Sequence, residues 1–252
     1  MTIAGKRVLA VGASSGIGRA FAIEAARAGA DVALAARRLD RVKEAAASAG
    51  HAHALACDVR RHEDCRRVVT EAVAALGGID LVLYAAGRAP LQALIDTNTD
   101  EWQDVLDTNV VGLQRITREV LPHLSAGGIV AVLSSETVGK PRTGLGAYAA
   151  SKAALDESLR TWRLEHPEHR FACLTVGATQ PTEFGSDFEM SRLEPAMRSW
   201  YRHGLMQAAY MDTAEVATFM VTMLGAALAL PTISVENLTL RSPSPVVGPD
   251  GA

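Results

Sequence analysis

Short apolar segments alternate with alanine-rich helical segments over most of the chain, and this alternation limits the folds that it can adopt. The apolar segments show little alternation of polar and apolar residues, which is typical of strands buried on both faces of a sheet. We predict strands at 7–11, 31–35, 53–57, 80–84, 128–134 and 170–176, and helices at 17–28, 39–49, 63–76, about 100–124 and 146–165. Repeated strand–helix units predict a single α/β domain, a doubly wound parallel sheet with helices on both faces.

Composition and charge fit an ordinary globular protein and exclude several other classes. The 252 residues carry a formal net charge of −3, so no basic excess indicates nucleic-acid binding. The apolar stretch at 219–230 is too short to span a bilayer, and the first residues lack the apolar core of a signal peptide. Cys57, Cys65 and Cys173 have neither metal-binding nor disulfide spacing. We expect a cytoplasmic protein without a metal ion, a membrane or a nucleic acid as partner.

A glycine-rich turn follows the first predicted strand. Gly12 permits a tight turn, Gly16 a close backbone approach and Gly18 close packing of helix on sheet. The following helix presents free N–H groups and the positive end of its dipole, which favour a phosphate. Because the turn joins the first strand to the first helix, it predicts a dinucleotide site on a Rossmann-like fold. The candidate residues of this loop are Gly12, Ser14, Ser15, Gly16, Ile17 and Gly18.

The end of the second predicted strand distinguishes between two dinucleotides. A site for NAD usually has Asp or Glu there, which binds the ribose hydroxyls. This chain has Arg37 and Arg38 instead, and a guanidinium group pairs well with a 2′-phosphate. The prediction is NADP(H), with Arg37 as the preferred ligand and Arg38 as either a second ligand or a solvated residue at the start of a helix.

Tyr148 and Lys152 lie four residues apart on a predicted helix and therefore on the same face. At about 4 Å, and with an effective dielectric constant of about 20, the two groups would attract by roughly 4 kcal/mol. We therefore expect the lysine to lower the pKa of the phenol toward neutrality, where it can exchange a proton with an alcohol or carbonyl oxygen. The spacing is common in proteins, so the pair alone is weak evidence for catalysis.

Several motifs together resemble the short-chain dehydrogenase/reductase family from about Lys6 to Arg241. They occur in the family's order and spacing, and the set is much more specific than any one motif. The motifs are Gly12-x-x-x-Gly16-Ile17-Gly18, Ala85-Ala86-Gly87, Asn109, Ser135 and Tyr148-x-x-x-Lys152.

The resemblance implies catalytic roles position by position. Tyr148 matches the acid/base, and Lys152 matches the residue that lowers its pKa and binds the nicotinamide ribose. Ser135 matches the serine that orients the substrate, with Ser134 as the weaker candidate. Asn109 matches the asparagine that anchors a water between Lys152 and solvent. A hydride transfer between NADP(H) and a carbonyl or secondary alcohol is therefore expected.

The same resemblance implies further cofactor contacts and an assembly. Asp58 and Val59 match the pair that contacts adenine, and Ala85, Ala86 and Gly87 match the turn beside the adenosine ribose. Family members are commonly dimers or tetramers, so a homo-oligomer is expected, with a tetramer favoured over a dimer.

Three positions depart from the family pattern. Val11 replaces the usual threonine and Tyr84 the usual asparagine, so we expect apolar packing where the family has a hydrogen bond across the sheet. Gly177 follows a valine instead of a proline, in a run that is one residue longer than usual. Thr182 matches the residue that binds the carboxamide or pyrophosphate, and Thr179 is a rival for this role.

The substrate is only weakly encoded. The stretch 184–210 is rich in aromatic and methionine side chains and reads either as a helix packed on the core or as a lid over an apolar substrate. Glu136 either binds a substrate donor or, in the preferred interpretation, faces solvent. The tail 242–252 is expected to be irregular. The alternative to an enzyme is a nucleotide-binding regulatory or scaffold protein, against which the set Ser135, Tyr148 and Lys152 argues.

Overall fold

The predicted parallel sheet is present in the computed structural model, which describes residues 3–50 and 52–248. Seven parallel strands lie in the order β7-β6-β5-β4-β1-β2-β3. They are β1 (Arg7–Val11), β2 (Asp31–Ala36), β3 (Ala52–Ala56), β4 (Ile79–Tyr84), β5 (Leu124–Ser135), β6 (Arg170–Val176) and β7 (Asn237–Leu240). Because β1 pairs with β2 on one side and β4 on the other, the strand order reverses at β1, where α/β sheets open a crevice for ligands.

Within the described residues, eight α-helices connect and flank the strands. They are α1 (Gly16–Arg27), α2 (Leu39–Ala49), α3 (His62–Leu76), α4 (Thr99–Leu106), α5 (Gly112–Val120), α6 (Gly146–Glu165), α7 (Met190–Arg202) and α8 (Thr213–Ala229). A π-helical turn, Asp107–Val111, joins α4 to α5, and a 3-10 turn, Leu121–His123, follows α5. No helix in the described ranges is both long and apolar enough to cross a membrane.

Helices cover both faces of the sheet, as the unbroken apolar strands predict. In β1, Val8 and Ala10 pack in one core cluster with α1, α2 and α8. Leu9 and Val11 point the other way and pack with α3, α5 and α6. The two cores hold the sheet rigid, and so they fix the loops that follow the carboxyl ends of the strands.

Two features at the end of the chain differ from the prediction. The edge strand β7 was not predicted, because its sequence is short and its side chains are half-buried or exposed. The tail was expected to be irregular, but Val246–Val247 pairs antiparallel with Met206–Gln207. The expectation is therefore wrong for this part of the tail, and residues 249–252 lie outside the described ranges.

Candidate active site

A continuous groove of about 1050 Å³ runs along the carboxyl ends of the strands. Every candidate site residue except Asn109 lines it. These residues are Gly12, Ser14, Ser15, Gly16, Ile17, Gly18, Arg37, Arg38, Asp58, Val59, Ala85, Ala86, Gly87, Ser135, Tyr148, Lys152, Gly177, Thr179 and Thr182. The fold thus brings together segments that are far apart in the sequence.

The loop between β1 and α1 has the shape that a bound diphosphate requires. Gly12 has a φ of +88°, and a Cβ there would overlap the backbone nitrogen of Ala86. A Cβ on Gly18 would lie 2.5 Å from the Gly12 oxygen. Ser15, the residue before α1, makes no side-chain hydrogen bond to the helix. The first N–H groups of α1 are therefore left for another acceptor. These residues fit the phosphates of a dinucleotide.

Arg38, rather than the preferred Arg37, contacts this loop. Its Nη2 donates to the hydroxyl oxygens of Ser14 at 3.0 Å and Ser15 at 3.1 Å, and to the carboxylate of Glu183 at 2.6 Å. Arg41 pairs with the same carboxylate. Two arginines therefore hold one anion here, the carboxylate of the protein's own Glu183.

Asp58 lies at the wall of the groove near Arg37 and is held by an ion pair. The Arg60 side chain donates to its carboxylate at 2.7 Å and, with a smaller effect of Arg37, holds the pKa of Asp58 below its ordinary value. Asp104 pairs with both Arg60 at 2.6 Å and Arg88 at 2.5 Å. This chain of charges fixes the loop after β3 against α4.

Ser135, Tyr148 and Lys152 meet at the other end of the groove. The Ser135 hydroxyl oxygen accepts from the Thr137 nitrogen at 3.2 Å and its hydroxyl at 3.0 Å, which leaves its own proton for another acceptor. Lys152 lies with its Nζ 5.8 Å from the centre of the Tyr148 ring and donates to the Leu133 carbonyl oxygen at 2.7 Å. The hydroxyls of Ser135 and Tyr148 and the ammonium group of Lys152 therefore lie together at this end of the groove.

The expected effect of Lys152 on the phenol is wrong for this structure. Burial raises the pKa of Tyr148 to about 12, against smaller lowering effects of Ser135 and Arg142. Burial also lowers the pKa of Lys152 to about 8. The reason is that desolvation opposes both charges, while the ammonium group points to a backbone carbonyl.

Asn109 is fully buried behind this centre, in the π-helical turn. Its Oδ1 accepts from the Arg88 nitrogen at 2.8 Å, and its Nδ2 donates to the Arg88 oxygen at 3.0 Å and the Ser151 hydroxyl at 2.7 Å. Ser151 in turn donates to the Tyr148 carbonyl oxygen at 2.7 Å. The side chain of Asn109 therefore positions the turn that carries the tyrosine.

The departures from the family pattern have a structural account. The hydroxyl of Tyr84 donates to the Thr108 carbonyl oxygen at 2.6 Å, so the polar group expected to be lost is present. The Val11 oxygen accepts from the Ala85 nitrogen at 2.8 Å, so a backbone bond joins the ends of β1 and β4.

The two rival threonines occupy different places. The Thr179 hydroxyl donates to the Gly177 oxygen at 2.9 Å. Thr182 lies beside the phosphate loop, where a Cβ on Gly16 would meet its side chain at 3.6 Å. Thr182 is therefore the one of the two that faces the loop.

The remaining wall of the groove combines aromatic side chains with buried charge. Phe184 lies 5.4 Å from the Tyr148 ring, and α7 contributes Met197 and Trp200. The preferred interpretation of Glu136 as a solvent-facing residue is wrong, because it is buried and pairs with Arg142 and, at 3.1 Å, with Arg241. The two arginines offset the cost of burying this carboxylate, which would be very unfavourable without a partner.

Sequence reasoning missed the charged partners of the site. Glu183 pairs with Arg38, which lies 145 positions earlier in the sequence. Arg142 pairs with Glu136, and the segment between these two residues forms neither a helix nor a strand. One sequence signal could have indicated that Glu136 is buried and paired: it directly follows Ser135 at the end of a buried strand.

Comparison with known proteins agrees with this geometry. The family model described as short chain dehydrogenase matches residues 6–195. The oxidoreductase Lmo0432 of Listeria monocytogenes is 31% identical over 211 residues, which cover 80% of this chain and 85% of that protein. Glycine betaine reductase ATRR of Emericella nidulans is 35% identical over 191 residues, 73% of this chain but only 15% of that protein.

Among solved structures, a short chain dehydrogenase from Burkholderia cenocepacia J2315 in complex with NADP superposes with a TM-score of 0.82. It is 25% identical, and the match covers 95% of this chain and 98% of that one. The family match and the relatives show that the chain belongs to the short-chain dehydrogenase/reductase family of oxidoreductases.

Proposed function

We propose that the protein interconverts a carbonyl and a secondary alcohol on an apolar small molecule, with NADP(H) as the cofactor and Tyr148 as the acid/base. The observation that carries the proposal is the meeting of Ser135, Tyr148 and Lys152 at one end of a groove whose other end is the phosphate loop. Cofactor and substrate therefore have one continuous site.

NADP(H), when bound, supplies or accepts the hydride. The hydroxyls of Ser135 and Tyr148 orient the carbonyl oxygen and stabilise the negative charge that develops on it. Tyr148 gives this oxygen its proton. Lys152 holds its Nζ on the Leu133 carbonyl oxygen and places a positive charge beside the phenol. Phe184 and the other aromatic side chains exclude water from the reacting atoms.

The choice of NADP(H) over NAD(H) is supported by charge at the phosphate-loop end. Arg37, Arg38 and Arg41 lie at or near the end of β2, and β2 itself ends in alanine, not in a carboxylate. Arg38 already binds one anion, the Glu183 carboxylate, and also donates to the hydroxyl oxygens of Ser14 and Ser15. The similar Burkholderia structure is a complex with NADP, which is consistent with this choice.

The decisive experiment compares Tyr148→Phe with the wild type on a panel of ketones and aldehydes, each with NADPH and NADH. Loss of a general acid predicts a fall in kcat of about 10²–10⁴-fold. The wild type should prefer NADPH by tenfold or more in kcat/KM, since charge-assisted bonds to a phosphate are strong. Tyr201→Phe, on the exposed part of α7, is the matched control and should change nothing.

Two results would contradict the proposal. Undiminished turnover by Tyr148→Phe would rule out the acid/base role, and a preference for NADH would rule out the choice of cofactor. Binding of NADPH with no turnover of any carbonyl would favour the alternative, a regulatory or scaffold protein.

We further infer a cytoplasmic homo-oligomer, with a tetramer favoured over a dimer. Leu106 at the end of α4 and Val111 just before α5 are both partly exposed, and a partner subunit would bury them. Light scattering coupled to size-exclusion chromatography decides this point, and a monomer at micromolar concentration would contradict it.

A further inference from the structure

A charged cluster lies in the substrate end of the groove. Glu136, next to Ser135 in the chain, is held between the guanidinium groups of Arg142 and Arg241. One carboxylate against two guanidinium groups leaves one net positive charge. Glu136 and Arg142 are mostly buried, so solvent and salt screen this charge much less than they would at the surface.

Arg142 is fixed in place and still has donors to offer. Its Nη2 donates to Glu136 and, at 2.8 Å, to the Leu205 carbonyl oxygen. Its Cζ lies 5.9 Å from the centre of the Trp200 ring. Its Nε is buried and has no hydrogen-bond partner within the described residues. The protein itself encloses this atom, so the donor for a ligand is the Nη1 of the same guanidinium group, which makes no hydrogen bond within the described residues and is not among the buried unpaired atoms.

The cluster lies close to the reacting atoms. Arg142 and Tyr148 both line the groove, and the charge of Arg142 acts on the phenol. The surrounding wall includes large apolar side chains, among them Leu145, Met197 and Trp200. A ligand that matches both parts has an apolar body and one anionic group within a few bonds of the carbonyl.

The size of the net charge selects the kind of anion. A carboxylate carries one negative charge and balances the cluster, and its two oxygens match the fork of a guanidinium group. A phosphate monoester carries about −1.5 to −2 near neutral pH and would leave excess negative charge in a buried place. A cationic substrate would meet like charge and is disfavoured.

We propose that the substrate is an oxo acid, or the corresponding hydroxy acid, with an apolar body, and that Arg142 binds its carboxylate. This inference rests on the proposed function. Arg142 acts as the residue that determines specificity, while Glu136 and the Leu205 carbonyl oxygen hold its guanidinium group at the wall.

The test uses pairs of substrates that differ only in charge. The full-length protein, saturated with NADPH, reduces 2-, 3- and 4-oxo acids that carry a phenyl group, and the methyl ester of each. The wild type should favour the best acid over its ester by about tenfold or more in kcat/KM, through KM, as a charged hydrogen bond predicts. Arg142→Gln should lower kcat/KM for the acid by about tenfold more than for its ester, and Arg142→Lys should restore part of the preference.

Arg198→Gln is the matched control, because Arg198 is an exposed arginine on α7 whose partner is Glu194. It should retain the full preference for the acid. Equal kcat/KM for acid and ester in the wild type, or an equal loss for both in Arg142→Gln, would overturn the inference. A general loss of structure would lower kcat/KM for acid and ester alike, so it cannot produce the selective loss that is expected.

A second measurement does not depend on turnover. Calorimetric titration of the NADPH-loaded protein with 3-phenylpropionate and with its amide should show about tenfold tighter binding of the acid, and Arg142→Gln should remove the difference. Equal affinities would overturn the inference. If acids and esters are both inert while the protein reduces other ketones with NADPH and Tyr148→Phe abolishes that activity, the inference fails and the proposed function stands. If no carbonyl is reduced at all, the proposed function fails, and the titration alone decides whether Arg142 binds a carboxylate.

Discussion

Each end of the groove holds an arginine paired with a carboxylate, and the two pairs differ in their access to water. At the phosphate-loop end, the side chains of Arg38 and Glu183 are 44% and 35% exposed. At the substrate end, those of Arg142 and Glu136 are 16% and 6% exposed. The same two chemical groups therefore form one pair that water reaches and one that it hardly reaches.

This difference in exposure implies that the two ion pairs have different roles. An exposed pair contributes about 0–1 kcal/mol, so an arriving anion can replace its carboxylate at little expense. A buried pair cannot lose a partner without leaving a charge in a medium of low dielectric constant. The exposed pair is thus suited to a place where an anionic ligand binds and is released. The buried pair is suited to a structural role in the wall of the groove.

The largest expected effect is the loss of the buried carboxylate. Glu136→Gln leaves Arg142 and Arg241 without their shared partner and should lower the free energy of unfolding by about 3–5 kcal/mol. Urea denaturation measures this change, with Glu183→Gln as the matched control at the exposed pair. Equal stability of the two variants would refute the distinction between the pairs.

A smaller effect concerns buried charge beside the same wall. Lys152 has its pKa lowered by burial from 10.5 to about 8, so between these pH values the unfolded chain binds more protons than the folded one. Stability should therefore rise with pH over this window, by up to about 3 kcal/mol, and the rise should be missing from Lys152→Met. Urea denaturation of both proteins from pH 7.5 to 10.5 tests this, and parallel curves would contradict it.

The smallest effect is expected at the exposed pair. Glu183→Gln should change the free energy of unfolding by less than about 1 kcal/mol. The substitution frees Arg38 and Arg41 for a 2′-phosphate, so the KM for NADPH should fall by about two- to fivefold while that for NADH stays the same. Steady-state kinetics with both coenzymes measures this. A rise in the KM for NADPH would show that Glu183 helps to bind the coenzyme instead of competing with it.

The sheet could be predicted from the sequence where burial leaves an unbroken apolar run. β1 and β6 begin and end where expected, because both faces of each strand are covered. The edge strand β7 escaped prediction because water reaches part of it, and its pattern is not distinctive. The glycine loop and the tyrosine–lysine turn were predictable because backbone geometry dictates their residue types and spacing.

The charges of the site could not be predicted in the same way. Spacing places Lys152 one turn from Tyr148 but does not report how deeply either is buried, and burial decides the direction of both pKa shifts. Glu136 was expected in solvent because its partner Arg241 lies more than a hundred positions away. Pairings of this kind depend on the completed fold and leave no local pattern.

The pairing of Val246–Val247 with Met206–Gln207 has a practical consequence for producing the protein. Gln207, which lines the groove, donates to the Ser242 oxygen at 2.7 Å, and the Ala208 nitrogen donates to the Pro245 oxygen at 2.9 Å. An affinity tag or a truncation near this end of the chain would therefore disturb the wall of the substrate pocket. The start of β1 lies at the amino ends of the strands, whereas the groove lies at their carboxyl ends. A tag at the amino end is therefore the safer choice for kinetic work.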